Sequence, residues 1–140
     1  MDNQLKSVVV EPAASVRGEM TVPGDKSISH RSIMFGSIAT GRTVITNFLR
    51  GEDNFSTMNA FRSMGVRIDD DGTVVTVNGL GLRGLHEPDD VLDCGNSGTT
   101  IRLMAGLLSG QRFFSVLTGE QYLRKRPMKQ LTGPPGLMGA

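Results

Sequence analysis

The chain has 140 residues, which is the size of one domain and enough to bury a core. With 38% hydrophobic and 21% charged residues it has the composition of a globular protein, which excludes disordered, collagen-like and transmembrane classes. Fifteen basic and fourteen acidic residues leave a net charge of +1, so neither nucleic acid nor a membrane is expected as a partner, and any anion site must be built locally. Cys94 is the single cysteine and no signal-peptide pattern is visible, so a cytoplasmic location is expected.

Alternating strand and helix patterns fill the first half of the chain. Apolar residues spread around most of the segment 27–39, which indicates a helix covered on nearly all sides. The turn at 70–72 (DDG) lies between two β-branched runs and is typical of a hairpin. The predicted elements are strands at 8–10 and 18–23, a helix at 27–39 stopped by Gly41, a strand at 43–48, a helix at 54–64 closed by Gly65, and strands at 66–68 and 73–77.

The second half begins the same order again. A strand is predicted at 91–94, then a glycine-rich corner at 95–98, an apolar helix over 101–108 stopped by Gly110, a strand at 113–117, and a helix starting near Pro127. From corner glycine to stop glycine is 17 residues in the first unit and 15 in the second, which supports an internal repeat. The second unit lacks its final hairpin, so the pattern predicts a fragment of a longer protein.

The corner at 23–31 (PGDKSISHR) passes directly from a predicted strand to a helix N-terminus. Free backbone N–H groups and the helix dipole favour an anion there. Arg31 lies one helical turn beyond Ser27, so Lys26, Ser27 and Arg31 are expected to converge on one phosphate or carboxylate. The alternative is that Ser27 only caps the helix, beside two solvated cations.

The corner at 94–102 (CGNSGTTIR) occupies the equivalent position of the second unit. Its glycines allow a ligand to approach the backbone closely, and side-chain donors are added by Asn96, Ser97, Thr99 and Thr100. A plain turn with a helix cap is the alternative. Cys94 is predicted to be a small buried strand residue.

Residues 124–129 (RKRPMK) contain four cations and no acid. Such a run is usually a solvated face or a nonspecific nucleic-acid patch. Its place after the strand at 113–117 instead favours a guanidinium directed toward the two corners, where arginine can grip a carboxylate or phosphate with two hydrogen bonds. His30 and His86 have no companions at metal-ligand spacing, so no metal site is expected and each is interpreted as a packing or surface residue.

Three segments together, 23–31, 92–99 and 117–128, resemble the N-terminal third of the 5-enolpyruvylshikimate-3-phosphate synthase family of enolpyruvyl transferases. The likeness runs in order from about residue 5 to residue 129. The sister transferases acting on UDP-N-acetylglucosamine share the fold but typically have Lys-Asn where this chain has Lys26 and Ser27, so they are less similar.

The resemblance implies a transferase that moves the enolpyruvyl group of phosphoenolpyruvate to the 5-hydroxyl of shikimate 3-phosphate, a step of aromatic amino acid biosynthesis, without a metal or organic cofactor. It implies an α/β fold, an inside-out α/β barrel of repeated βαβαββ units, here one complete (about 18–80) and one incomplete (about 90–140). The resemblance implies that the whole fold has two globules, each built from three such units. Residues 1–14 would supply a strand to the second globule, and residues 15–140 would form part of the first.

Site residues follow by matching position. The resemblance assigns Lys26 a catalytic role in contact with both substrates, shikimate 3-phosphate to Ser27 and Arg31, phosphoenolpyruvate to Gly98 and Arg126, and a supporting role to Asn96. Addition to the enol carbon also needs an acid and a base, which in this family come from the second globule. The acids here, at 52–53 and 69–71, are interpreted as caps, ion-pair partners and turn residues. The 140-residue chain is therefore expected to bind substrates but to catalyse little or nothing alone.

The tail at 130–136 (QLTGPPG) departs from the family pattern, and its two prolines are expected to break the last helix. Two further hypotheses stay open. One is a noncatalytic anion-binding module whose basic run meets nucleic acid, and the other is a nonfunctional truncation product with an unfinished sheet.

Overall fold

The computed structural model describes residues 7–139 and shows mixed helix and sheet content. Within that range, no helix is both long and apolar enough to cross a membrane. The elements in chain order are α1 (Lys26–Ile38), β1 (Thr40–Thr46), α2 (Glu52–Ser63), β2 (Arg67–Asp70), β3 (Val74–Leu80), β4 (Leu92–Asp93), α3 (Gly98–Leu108), β5 (Leu117–Thr118), α4 (Gln121–Arg124) and α5 (Lys129–Leu137).

The first sheet has three antiparallel strands in the order β1-β3-β2. The register of β1 against β3 runs from Thr40 opposite Leu80 to Thr46 opposite Val74. Gly72, at φ +96°, adopts the left-handed conformation that the tight turn between β2 and β3 requires. The predicted hairpin is confirmed.

Both halves of the chain share one hydrophobic core. Helix α2 packs against α1 on one side and α3 on the other, and β4 pairs with β5 in a short parallel sheet. The core holds fully buried side chains from the first sheet, α1, α2 and α3, including Ile33, Met58, Phe61, Val75, Val77 and Met104. Because α1, α2 and α3 lie side by side, the corners that precede α1 and α3 come close together.

The strands predicted at 8–10 and 18–23 are wrong, because residues 7–25 contain no helix or strand. Val8, Val9 and Val10 are more than 80% exposed. A strand is stabilised by pairing and by burial of one face, and this segment has neither within the described residues. The unit expected over 18–80 therefore lacks its first strand, and the part of the N-terminal prediction that covers residues 1–6 lies outside the described range.

Two further strand predictions are longer than the strands observed. Of the strand predicted at 91–94 only β4 is observed, and of the strand predicted at 113–117 only the last residue lies in β5. Both strands are short because, in the described chain, each pairs only with the other. Gly41 is not the stop of α1. The helix ends at Ile38, the extended backbone of its capping residue Ala39 leads directly into β1, and Gly41 lies inside that strand.

The expected break in the last helix is also wrong, since α5 continues through Pro134 and Pro135. The last helix begins at Lys129, two residues after the predicted Pro127, while α4 was not predicted. Each proline removes one backbone N–H donor. None of the side chains of α5 is buried, so water can satisfy the carbonyl groups that lose their partner.

Candidate functional site

The first corner is fixed by Asp25, not by Ser27. The Asp25 Oδ1 accepts a hydrogen bond from the Ile28 backbone N at 2.7 Å and so caps α1, which makes Lys26 the first helical residue. The buried Ser29 hydroxyl donates to the Asp25 carbonyl at 2.8 Å and accepts from the Leu49 N–H at 2.9 Å. The alternative that Ser27 only caps the helix is therefore wrong, and the exposed Ser27 hydroxyl is left for other partners.

The second corner is fixed by Ser97, whose Oγ accepts from the Thr100 N–H at 3.1 Å and caps α3. Gly95 adopts a φ of +56°, and its N–H donates to Asp93 Oδ1 at 2.8 Å. These contacts make Gly98 the first residue of α3. The predicted turn and cap are present, and they leave the α3 N-terminus open beside Asn96 and Gly98.

Arg126 comes from the third segment and reaches the second. Its backbone N–H donates to the Leu123 carbonyl at 3.0 Å just after α4, and its guanidinium turns toward α3. A Cβ added to Gly98 would lie 2.5 Å from the Arg126 Nη1. The position must therefore stay without a side chain for the guanidinium to occupy this place.

The three segments line one open cavity of about 430 Å³. Four predicted site residues line it: Lys26, Asn96, Gly98 and Arg126. Thr99, which was expected only as a side-chain donor of the second corner, also lines it, as do three residues that had no assigned ligand role: Asp53, Arg102 and Leu103. The predicted convergence of the three segments is confirmed. Ser27 and Arg31 are exposed on α1 but do not line this cavity.

Three helices begin at this cavity. Lys26 is the first residue of α1, Asp53 the second of α2, and Gly98 the first of α3. A helix N-terminus carries a partial positive charge and free N–H groups, so three together favour an anion more than one alone. Two of these N-termini were predicted to be anion sites, and that of α2 was not.

Cations dominate the charge of the cavity. Lys26, Arg102 and Arg126 face a single acid, Asp53, whose carboxylate contacts the Lys26 ammonium. Within residues 7–139, neither arginine forms a salt bridge. The ion-pair interpretation of Asp53 is confirmed, and the two arginines remain free to bind an anion.

The place of Arg102 in the cavity has a signal in the sequence. Arg102 follows Gly98 by four residues, as Arg31 follows Ser27 in the first corner. The involvement of Asp53 had no comparable local signal, because it depends on how α2 packs between the two other helices.

A family model described as EPSP synthase (3-phosphoshikimate 1-carboxyvinyltransferase) matches residues 10–140. The chain belongs to the EPSP synthase family. It is 67% identical over 136 residues to the 3-phosphoshikimate 1-carboxyvinyltransferase of Geobacter sp. (strain M21), covering 97% of this chain and 32% of that protein. That of Geotalea daltonii is 69% identical over 130 residues, with 93% and 30% covered. A solved EPSP synthase from Acinetobacter baumannii superposes with a TM-score of 0.85 at 55% identity and covers 88% of this chain and 28% of that one. The chain thus spans about a third of the length of these EPSP synthase relatives.

Behind the cavity wall, this member of the EPSP synthase family has a row of buried polar side chains. His30 Nδ1 lies 2.8 Å from Thr57 Oγ1, which lies 2.8 Å from Thr100 Oγ1, and the Thr100 hydroxyl lies 2.7 Å from Ser97 Oγ. Burial lowers the pKa of His30, as does the nearby Lys26 charge, while Asp53 opposes them. His30 is therefore a packed, neutral imidazole, which confirms its interpretation as a packing residue.

Cys94 is fully buried in the described part of this EPSP synthase homologue. Burial and the neighbouring Asp93 raise the pKa of Cys94 to about 12, so its thiol stays protonated. Its predicted burial is confirmed, but it lies one residue after β4 and not within the strand. Among residues 7–139, no group of His, Cys, Asp and Glu is placed to hold a metal ion. The groups that line the cavity, which include three cations, a threonine hydroxyl and helix N–H groups, can bind an anion.

Proposed function

We propose that this chain is the substrate-binding front part of a transferase that moves the enolpyruvyl group of phosphoenolpyruvate to the 5-hydroxyl of shikimate 3-phosphate, with release of inorganic phosphate. The observation that carries the proposal is that Lys26, Gly98 and Arg126 line one cavity. The N-termini of α1, α2 and α3 also lie at this cavity. Membership of the EPSP synthase family supports it.

The charge of the cavity suits these substrates. Phosphoenolpyruvate and shikimate 3-phosphate each carry a phosphate and a carboxylate, so they repel one another in a shared site. Fixed cations and N–H dipoles offset that repulsion without having to reorganise as the substrates arrive. Lys26, Arg102 and Arg126 supply three such cations.

We assign the residues as follows. Lys26 contacts both substrates as the catalytic cation of this chain, and Arg126 with the Gly98 backbone holds phosphoenolpyruvate. Shikimate 3-phosphate is assigned to the exposed α1 face that carries Ser27 and Arg31, one turn apart beside Lys26. Asn96 supports the site from the cavity rim.

The acid and base for the reaction are assigned outside this chain. Among the described residues, Asp53 is the one carboxylate that lines the cavity. Its carboxylate already forms an ion pair with Lys26. A proton donor for the enol carbon must lie within hydrogen-bond reach of it. We therefore expect the isolated chain to bind ligands and to have little or no transferase activity.

The architecture belongs to the same proposal. We assign the chain to part of an inside-out α/β barrel built from βαβαββ units, with residues 15–140 in the first globule and residues 1–14 directed to the second. The repeated helix-corner geometry at α1 and α3 supports this assignment. A cytoplasmic location is expected from the single unpaired cysteine.

The test is calorimetric titration of the 140-residue chain with phosphoenolpyruvate and with shikimate 3-phosphate. Lys26→Ala is expected to weaken the binding of both ligands by about tenfold or more, because it removes a charge-assisted contact. Arg126→Ala is expected to weaken the binding of phosphoenolpyruvate more than that of shikimate 3-phosphate. Lys125→Ala is the matched control, since it removes the adjacent exposed cation that does not line the cavity.

Equal losses in Arg126→Ala and Lys125→Ala would show that only general charge matters and would overturn the assigned roles. Binding that is indifferent to Lys26→Ala would overturn the proposed site as a whole.

A further inference from the structure

The buried polar row behind the cavity crosses all three helices that begin there. His30 lies one turn after Lys26 on α1, and Thr57 lies one turn after Asp53 on α2. Thr100 lies two residues after Gly98 on α3. Each side chain of the row is fully buried. The row therefore joins the helices immediately behind the residues that line the cavity.

The contacts of the row also hold the backbone of the cavity. The Thr57 and Thr100 hydroxyls lie 3.5 and 3.3 Å from the Asp53 carbonyl oxygen, in the first turn of α2. Ser97, at the end of the row, caps α3 next to Gly98. A displacement of one helix would break these contacts, because hydrogen bonds weaken steeply with distance and angle.

Apolar side chains of similar volume would hold the helices together as well, but they tolerate sliding. Buried polar groups lose solvation and need partners of defined geometry. Their presence at the place where three helix N-termini meet indicates a role in the register of the helices rather than in their cohesion.

We propose that His30, Thr57 and Thr100 are positioning residues that hold Lys26 and Gly98 at the separation that phosphoenolpyruvate requires. The inference rests on the proposed function, because it takes phosphoenolpyruvate as the ligand that spans the two corners. None of the three residues lines the cavity, so each acts through the helix that carries it.

The hydrogen bonds of the row have one donor-to-acceptor order, which begins at His30. His30 Nε2 is buried and has no hydrogen-bond partner. A buried acceptor without a partner is tolerated better than a buried N–H without one. The imidazole therefore carries its proton on Nδ1 and donates to Thr57, which donates to Thr100. The Thr100 hydroxyl then donates to Ser97 Oγ or to the Asp53 carbonyl oxygen.

The binding test compares Thr57→Val and Thr100→Val, which remove one hydroxyl each with little change of shape, in calorimetric titrations with phosphoenolpyruvate. Each is expected to bind about three- to tenfold more weakly, because a buried partner is left unsatisfied and the helices lose register. Thr57→Ser restores the hydroxyl and is expected to restore affinity to within about twofold of the parent.

The matched control is Ser37→Ala. Ser37 is also fully buried on α1, and its hydroxyl donates to the Ile33 carbonyl at 2.7 Å within the same helix, far along the chain from Lys26. This variant is expected to lower thermal stability without changing affinity. If the threonine variants lose stability as Ser37→Ala does but bind as the parent does, the row is structural only and the inference is overturned.

A second measurement needs no ligand. ¹⁵N NMR of the His30 ring is expected to show the Nδ1–H tautomer in the parent and an increased Nε2–H population in Thr100→Val, which does not touch the ring directly. Unchanged ring signals in Thr100→Val would contradict coupling through the row. Failure of the parent chain to bind phosphoenolpyruvate would instead overturn the proposed function, so the two failures are distinguishable.

Discussion

The Lys26 ammonium contacts the Asp53 carboxylate and so joins the first turns of α1 and α2 at the cavity wall. The pair is partly exposed, so its contribution to stability is small. Its effect on anion binding is larger, because the Asp53 carboxylate neutralises the Lys26 charge and also repels anions.

We expect Asp53→Asn to strengthen binding of inorganic phosphate by up to about fivefold, since two charges 4 Å apart in water interact by about 1 kcal/mol. Titration at low ionic strength measures it. Glu52→Gln is the control, because it removes an exposed acid from the same helical turn outside the cavity. Equal gains in both variants would show that the ion pair has no specific role.

Gly98→Ala is expected to displace the Arg126 guanidinium, because the added Cβ would lie 2.5 Å from Nη1. Loss of one charge-assisted contact predicts about ten- to hundredfold weaker binding of phosphoenolpyruvate, with thermal stability retained. Gly106→Ala on the same helix is the control, because its Cβ meets nothing within 4 Å. That change is expected to stabilise α3 by about 1 kcal/mol and to leave binding unchanged. Parallel effects of the two variants would be inconsistent with the geometry.

Acidification is expected to destabilise the fold in a window set by His30. Burial and Lys26 lower the pKa of His30 below its usual 6.5 in the folded chain, so the unfolded chain binds the proton first. Stability is therefore full above about pH 6.5 and falls as the pH drops toward the folded pKa. The lowered pKa values of Asp70 and Asp71 act only in a more acidic window, below 3.8.

NMR titration of the variant His86→Gln measures the pKa of His30 in the folded chain, because His30 is then the sole imidazole of the chain. A folded-state midpoint at or above 6.5 would contradict the buried, neutral assignment.

The Cys94 thiol is expected to resist alkylation. A pKa raised from 9.0 to about 12 leaves about a thousandfold less thiolate at pH 8 than in the unfolded chain. Iodoacetamide labelling with and without urea provides the measurement. The variant Cys94→Ser with Ser109→Cys places the thiol at an exposed position and should be labelled rapidly in the folded state. Comparable rates for the two folded proteins would refute the prediction.

Pro134→Ala is expected to strengthen α5 locally, by up to about 3 kcal/mol, because it restores a backbone donor inside the helix. Amide hydrogen exchange over residues 129–137 reports the change. Thr132→Ala raises helix propensity without adding a donor and is the control. If both variants slow exchange equally, the missing N–H is not what limits α5.

Sequence pattern predicted several elements that local chemistry determines, although the Ser27 cap, the Gly41 stop and the proline break of α5 were wrong. The corner residues of α1 and α3, the helix α2 closed by Gly65 and the hairpin at Gly72 depend on caps, turns and short-range periodicity. The strands at 8–10 and 18–23 were wrong because a β-branched run has the same pattern whether or not a partner strand lies beside it.

The candidate site shows the same division. Lys26, Asn96, Gly98 and Arg126 could be identified from motifs in the sequence. Asp53 could not, because its place depends on the packing of α2 between the other two helices. The row from His30 to Ser97 was missed for the same reason, since its members are distant in the chain and each looks ordinary alone.

The excess of positive charge in an open cavity also governs how any affinity must be measured. The positive charges of Lys26, Arg102 and Arg126 attract any small anion, so phosphate or sulfate from a buffer competes with an anionic ligand for the same volume. Mobile ions at 0.15 M screen exposed charges beyond about 8 Å and slow the arrival of charged ligands. Apparent dissociation constants obtained in phosphate buffer will therefore be larger than those obtained in a zwitterionic buffer, and the difference will be smaller in Arg126→Ala.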